Sequence, residues 1–337
     1  MAELSRLDYV EVIGQAQGHT GRTAAIYQIG KGAGHTIAVD AGSTVIRYRA
    51  TYLDGRVLLA GIYPLSSGQR HMSAEISRMV DQAITEVLKA VMPEWGPLRA
   101  IGVAVPARVT GQSRLVQPDR ELWTFDGFTP PPGVPLVLEN NVNCAAIAEH
   151  NYGAAIGRRD FAFVQVGLKI GMGTVLSGEL IRGQNGAAGE VSHIPFPWSA
   201  NERPQPETLE DYLGVDAFME RVRSDWPGDD LPRDSLDLFE RASKGDVAAT
   251  DHVRRHGHDI GRLVAACVAV IDPGFVVLGG GVGSLPLLLP YVREEIARLS
   301  YSTDIVTSTL GADATLLGIG KLAAAHAQAD LIDAVNG

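Results

Sequence analysis

A chain of 337 residues with 45% hydrophobic content holds enough apolar material for two cores, so two domains or one bilobal unit is the starting expectation. Its net charge of −10 argues against a broad grip on nucleic acid, because phosphate binding draws on clustered Lys and Arg. The two cysteines, Cys144 and Cys267, both sit in apolar helical contexts and point to a reducing compartment, and neither to a disulfide framework nor to a thiolate metal site. No charged segment followed by an apolar one opens the chain and no apolar run approaches bilayer length, so a cytoplasmic protein without membrane contact is expected.

In chain order, residues 8–29 read as two β-prone runs around a polar, Gly-rich stretch from Gly14 to Thr23, the pattern of a long hairpin. It is either an ordinary hairpin packed on the body or, with a basic residue at its tip, the likeness of a wing from a winged-helix DNA-binding domain. Thr36–Asp40, Val45–Ala50 and Arg56–Ala60 follow as three antiparallel strands joined by tight turns. In the first turn Asp40 can hold hydrated Mg²⁺, Gly42 allows close approach of an anion, and Thr44 can donate to a phosphate. An ordinary hairpin explains the same residues.

Apolar residues at Ile76, Met79, Val80, Ala83, Ile84, Val87, Leu88 and Val91 predict an amphipathic helix, with Ser73 as its N-cap and Pro93 as its stop. A core strand at Ile101–Val105 comes next. The Pro- and Gly-rich segment after it carries Trp123 and Phe125, which can stack on a sugar face or anchor the loop. The run Pro135–Leu138 then stops at Glu139, Asn140, Asn141 and Asn143 before a helix begins, so a buried strand delivers a polar cluster to a helix start. Strand ends of this kind are where ligands sit, and amides offer donors and acceptors to hydroxyl groups; an Asn-rich helix cap is the alternative.

The second half repeats the strand, Gly-rich turn and strand at Phe161–Val166, Gly167–Gly173 and Thr174–Ser177. Two such units in two lobes are how the actin-like ATPase fold clamps nucleotide phosphates. Glu190 and His193 stand at helix-like spacing and, with Glu210, form a trio able to face one ligand. A long helix near 246–271 and a strand at Phe275–Leu278 complete this half.

Six ordered motifs make the chain resemble the ROK family of bacterial sugar kinases and sugar-responsive repressors over residues 36–330: Asp40–Thr44, Val103–Pro106, Glu139–Asn143, Asn185–His193, Leu209–Tyr212 and Val277–Gly281. The resemblance implies an α/β, actin-like (ribonuclease H-like) bilobal fold. It puts one lobe at 36–142, a second at 143–317 and a returning helix at 318–337, with the hairpin of residues 1–35 as the remnant of a winged helix. It also implies sugar binding in the interlobe cleft by Asn140, Asn141, Glu190, His193 and Glu210, and a homodimer. A vestigial nucleotide site would use Asp40, Gly42, Thr44, Gly171, Gly279 and Gly280.

Departures from the family pattern set the functional expectation. Asn141 stands where the family motif has the Asp that acts as general base, and an amide keeps the hydrogen bond without the basicity. Leu168 and Lys169 replace the Thr and second Gly of the second phosphate loop, although Lys169 can itself attract a phosphate. Asn201, Arg203 and Thr208 occupy the positions of the family's zinc cysteines, so no zinc is expected. The sequence therefore predicts a sugar-sensing regulator of pseudokinase type, without cofactor, that would bind operator DNA only through a helix-turn-helix not seen in this chain. The alternative is a sugar kinase using ATP and Mg²⁺.

Overall fold

The computed structural model describes residues 1–17, 23–68, 72–110, 114–115, 130–197 and 201–336; Trp123 and Phe125 lie outside these. A five-residue helix α1 (Ala2–Arg6) precedes strands β1 (Val10–Gln17) and β2 (Thr23–Ile29), which pair antiparallel. Strands β3 (His35–Ala41), β4 (Val45–Tyr52) and β5 (Val57–Pro64) lead to α2 (Ala74–Ala90), β6 (Leu98–Val105), the short pair β7 (Val109–Thr110) and β8 (Arg114–Leu115), and β9 (Leu136–Asn140). Helix α3 (Asn141–Tyr152) opens the second half, followed by β10 (Phe161–Val166), β11 (Ile170–Leu176) and β12 (Glu179–Ile181). The helices α4 (Thr208–Leu213), α5 (Val215–Asp225), α6 (Ser235–Ser243) and α7 (Val247–Ile271) precede β13 (Phe275–Gly279), α8 (Leu289–Leu299), β14 (Asp304–Thr307) and α9 (Ala314–Asn336).

The chain divides into two compact units, one of Met1–Asn141 with Thr315–Gly337 and one of Val142–Ala314. Each carries a five-stranded sheet, in order β5-β4-β3-β6-β9 in the first and β12-β11-β10-β13-β14 in the second. In both, three sequential strands pair antiparallel and two later strands add parallel to the first of the three. The duplicated topology extends the strand, turn and strand echo of the sequence to all five strands of each sheet. Parallel addition requires crossover connections, and helices supply the cover that parallel strands need.

In the first unit Ile37, Val39, Ile46, Ile101 and Val103 from the sheet pack with Ile76, Val80, Ile84 and Val87 of α2, all of them fully buried. Burial of each such side chain is worth about 1.5–3 kcal/mol. Ser73 caps α2 by accepting from the Ile76 amide, as its position before the apolar stripe predicts. A smaller cluster joins Ala323 and Ala327 of α9 to Ala33, Leu53 and Ala100, with Tyr9 and Ile29 from the hairpin base packed against it. The hairpin is held there by the Arg99 guanidinium, which lies 5.7 Å from the Tyr9 ring centre and donates to the Gly32 and Ala33 carbonyls. Farther out, its Val12, Ile13, Ile26 and Tyr27 side chains are exposed.

The core of the second unit is built from Ala162, Val164, Val276 and Leu278 of the sheet and Ile260, Val264 and Val268 of α7. Asp246 accepts from the Ala249 amide and starts α7. No helix among the described residues is long and apolar enough to cross a membrane.

Candidate functional site

In the first unit, β3, β6 and β9 run parallel, with Asp40 level with Ala104 and Ala104 level with Glu139. Register alone therefore brings Asp40, Glu139 and Asn140 to the carboxyl edge of one sheet, where open α/β sheets receive ligands. Asp40 is buried, and its Oδ2 lies 3.8 Å from Nη1 of Arg47, its cross-strand partner on β4. A side chain on Gly42 would begin 2.5 Å from the Val45 carbonyl oxygen, so the turn has no space for one. Thr44 is exposed, and its carbonyl accepts from the Leu65 amide. Glu139 is buried and accepts the Asn140 amide at 2.8 Å, while the Asn140 side chain donates to the Ala107 carbonyl at 3.1 Å. The first of these bonds engages the Asn140 backbone N–H, and the second orients its side-chain amide. Asn141 is buried as the first residue of α3, where the positive end of the helix dipole lies.

In the second unit, Gly167, Leu168 and Lys169 form the turn between β10 and β11. Gly167 donates to the Lys169 carbonyl at 3.1 Å and accepts from the Val215 amide at 2.9 Å. Glu210, buried on α4, accepts the Ile170 amide at 3.1 Å, so one carboxylate ties a candidate sugar residue to the end of this turn. A side chain on Gly171 would meet Val142 at 2.9 Å and one on Gly173 would meet Ala146 at 2.7 Å, so both glycines let α3 lie against β11. The strand β13 ends in three glycines with separate reasons. A side chain on Gly279 would strike the Phe163 ring, Gly280 has φ +84 with the Val166 carbonyl beneath it, and Gly281 faces open space.

Glu190 precedes and His193 ends a single 3-10 turn at Val191–His193, and the His193 amide donates to the Glu190 carbonyl at 3.1 Å. The helix-like spacing of the sequence is therefore realised as one turn and no more. His193 is exposed, and its Nε2 lies 3.7 Å from Glu207, a contact that becomes an ion pair when the imidazole is protonated. Asn201 and Arg203 are exposed, and Thr208 turns its hydroxyl to the Gln205 carbonyl at 2.8 Å. Among the described residues no group of three or more His, Cys, Asp or Glu is placed to hold a metal ion. Both cysteines are buried, and burial pushes the Cys267 thiol up to about 12, which leaves it inert at neutral pH.

The structure thus divides the candidate sugar residues, with Asn140 and Asn141 in the first unit and Glu190, His193 and Glu210 in the second. Arg47 beside Asp40 and Glu207 beside His193 were missed by sequence reasoning. Arg47 was legible in principle, because a turn of known length between β3 and β4 sets residue 40 opposite residue 47. Glu207 was not, since it lies in a segment without periodicity.

This fold, with polar residues gathered at the strand ends of two like sheets, is the actin-like ATPase fold of ROK proteins. The chain belongs to the ROK family, whose model matches residues 36–326. The xylose repressor of Bacillus spizizenii is 23% identical over 335 residues, which are 96% of this chain and 85% of the repressor. A ROK family transcriptional regulator, a homologue of the E. coli MLC protein, has a similar structure with a TM-score of 0.77 at 18% identity. That match covers 100% of this chain and 90% of the regulator. A ROK family glucokinase from Streptomyces griseus, solved with glucose and AMPPNP, matches with a TM-score of 0.68 at 23% identity, covering 86% of this chain and 99% of the kinase. Repressors and sugar kinases of the family both stand among its relatives.

Proposed function

We propose that this chain is the effector-binding part of a ROK-type transcriptional regulator. It binds a monosaccharide or derivative through Asn140, Asn141, Glu190, His193 and Glu210, works as a homodimer, and does not phosphorylate its ligand at a useful rate. One observation carries the reading: the buried side chain that begins α3, directly after the sheet edge bearing Asn140, is the amide of Asn141. An amide takes no proton near neutral pH, and general-base assistance is worth roughly 10²–10⁴-fold in rate. The comparisons support the same side, because the regulator match extends over the whole chain while the glucokinase match leaves 14% of it outside. The β1–β2 hairpin, read as the counterpart of a wing, belongs to that reading. Asp40, Gly42, Thr44, Gly171, Gly279 and Gly280 are then what persists of a nucleotide site, and neither ATP nor zinc is required; metal analysis of the purified protein is expected to find no stoichiometric zinc.

The second reading, a sugar kinase using ATP and Mg²⁺, is favoured by the open face of Gly281 at the end of β13. A coupled assay for sugar-dependent ADP release, run on every monosaccharide that binds by calorimetry, separates the two. Binding without turnover is expected. Turnover at rates typical of kinases sinks the regulator reading.

A further inference from the structure

The second unit has a cavity of about 730 Å³, within the range of roughly 300–1,000 Å³ that small-molecule sites occupy. It lies where β13 and β14 begin, at the paired residues Phe275 and Asp304, whereas the β10–β11 turn and the glycines after β13 lie past the other ends of these parallel strands. The proposed sugar residues and the phosphate turns therefore take no part in it. Its floor is apolar, with Ile296 of α8 and Ile305 of β14 reaching it from the core and Ala297 standing beside them. Two guanidinium groups line the same space. Arg293 donates from Nε at 3.1 Å and from Nη2 at 2.6 Å to one carbonyl, that of Ile305, and no carboxylate among the described residues lies within ion-pair distance of it. Arg158 lies over the Phe275 ring, 4.3 Å from its centre, with Nη2 3.9 Å from Oδ2 of Asp304, too far for a hydrogen bond. Each guanidinium is thus positioned by a neighbour that leaves N–H groups unspent. The charged groups of the wall are these two arginines and Asp304, so one positive charge stands in excess.

We propose that this cavity binds a small monocarboxylic acid with a compact apolar or aromatic body, its carboxylate held by Arg293 and Arg158 and its body laid on Ile296, Ala297 and Ile305. A carboxylate matches the paired N–H groups of a guanidinium, and arginine is the side chain that reads it in this way. The single excess charge answers one negative charge, and the Asp304 carboxylate repels a second. Apolar walls beside the two cations reward a ligand that carries hydrocarbon next to its charged end. The site is independent of whether the chain senses a sugar or phosphorylates one.

Calorimetric titration of the whole chain with benzoate, phenylacetate and hexanoate, each paired with its neutral amide, tests it, with inorganic phosphate as a separate arm. At least one acid is expected to bind with a Kd below about 1 mM and about ten-fold more tightly than its amide, a preference that shrinks as salt is raised. Arg293→Gln is expected to remove most of that preference and Arg158→Gln a smaller share. Ala297→Phe, which fills the cavity without changing its charge, is expected to abolish binding of acid and amide alike. Thermal melts matching the wild type show that the variants fold. Because Arg293 also ties α8 to β14, Arg158→Gln and Ala297→Phe carry the test should Arg293→Gln lower the melt. The proposal is overturned if no acid binds, if the amides bind as well as the acids, or if phosphate binds as tightly as they do. It is equally overturned by a preference that survives both arginine substitutions, or by binding that survives Ala297→Phe.

Discussion

His256 lies within the core of the second unit, its ring stacked on Phe218 at 3.9 Å, and neither ring nitrogen has a hydrogen-bond partner among the described residues. Burial, helped by the nearby Arg221 charge, pushes its pKa down to about 3. In the unfolded chain the same imidazole titrates near its ordinary value of about 6.5. Above that value neither state binds the proton and stability is at its full level. As the pH falls from there towards 3 the unfolded state gains a proton that the native state refuses, which costs about 1.4 kcal/mol per pH unit. His35 and His252 are lowered as well, mainly by burial, and add to the same slope. Urea unfolding of the wild type is expected to lose about 2 kcal/mol between pH 6.5 and 5 through His256 alone, and His256→Leu to remove that share. Parallel pH profiles for the two proteins would refute this role. Asn141 gives the second residue-scale test. Its place at the start of α3 favours a carboxylate there, because the helix dipole is positive at that end. Asn141→Asp is therefore expected to fold normally, and the ADP-release assay then reads whether the base was the only missing part. A gain of 10²-fold or more means that the nucleotide site is intact; silence with sugar binding retained means that the phosphate turns have diverged too.

Among the elements, the contact of α7 with α8 depends on two residues without side chains. A Cβ on Gly261 would begin 2.6 Å from Glu295 Cβ, and one on Gly257 would begin 2.7 Å from Tyr291 Cβ. Close approach lets Glu295 bridge the pair, accepting from Arg298 on its own helix at 2.7 Å and from Arg262 of α7 at 2.9 Å. Those hydrogen bonds, that from Arg298 first, hold the Glu295 carboxyl down at about 2. Alanine exceeds glycine in helix propensity by about 1 kcal/mol, yet Gly261→Ala is expected to destabilise the protein by about 1–3 kcal/mol because overpacking outweighs propensity at a closed interface. A thermal melt decides the sign, and a rise in midpoint would show that α8 moves aside freely. None of this was legible beforehand: periodicity located α7 and its Asp246 cap, but a glycine inside a helix does not announce which neighbour needs the space. The opposite case is α2, where Ser73 and the apolar stripe determined start and buried face by local chemistry, although the helix ends at Ala90 and Val91, counted in the stripe, lies beyond it and is exposed. The segment from Glu190 to His193 shows the limit of such spacing, since i and i+3 polar residues fit one 3-10 turn as well as a helix.

On the scale of the whole molecule, a net charge of −10 and a hairpin as the chain's resemblance to a DNA-binding element lead to a further expectation. This polypeptide should not retard promoter fragments at physiological salt, because phosphate contacts supply most of the affinity of such complexes. Retardation that weakens steeply with added salt would contradict that. The local pattern of the sequence was sufficient for the strands, the long helices, the α/β class and the ordered motifs of the ROK family, because alternation, capping and turn chemistry act within a few residues. It was also sufficient to expose Asn141 and Lys169 as departures, since side-chain chemistry at a motif position needs no coordinates. Only the tertiary structure decided that two sheets share one full strand order, that Asp40 and Glu139 reach the same sheet edge, and that Glu210 is bonded to Ile170. Each of those facts is a pairing between residues far apart in sequence, and pairings over such distances are chosen by packing and register, which no local pattern encodes.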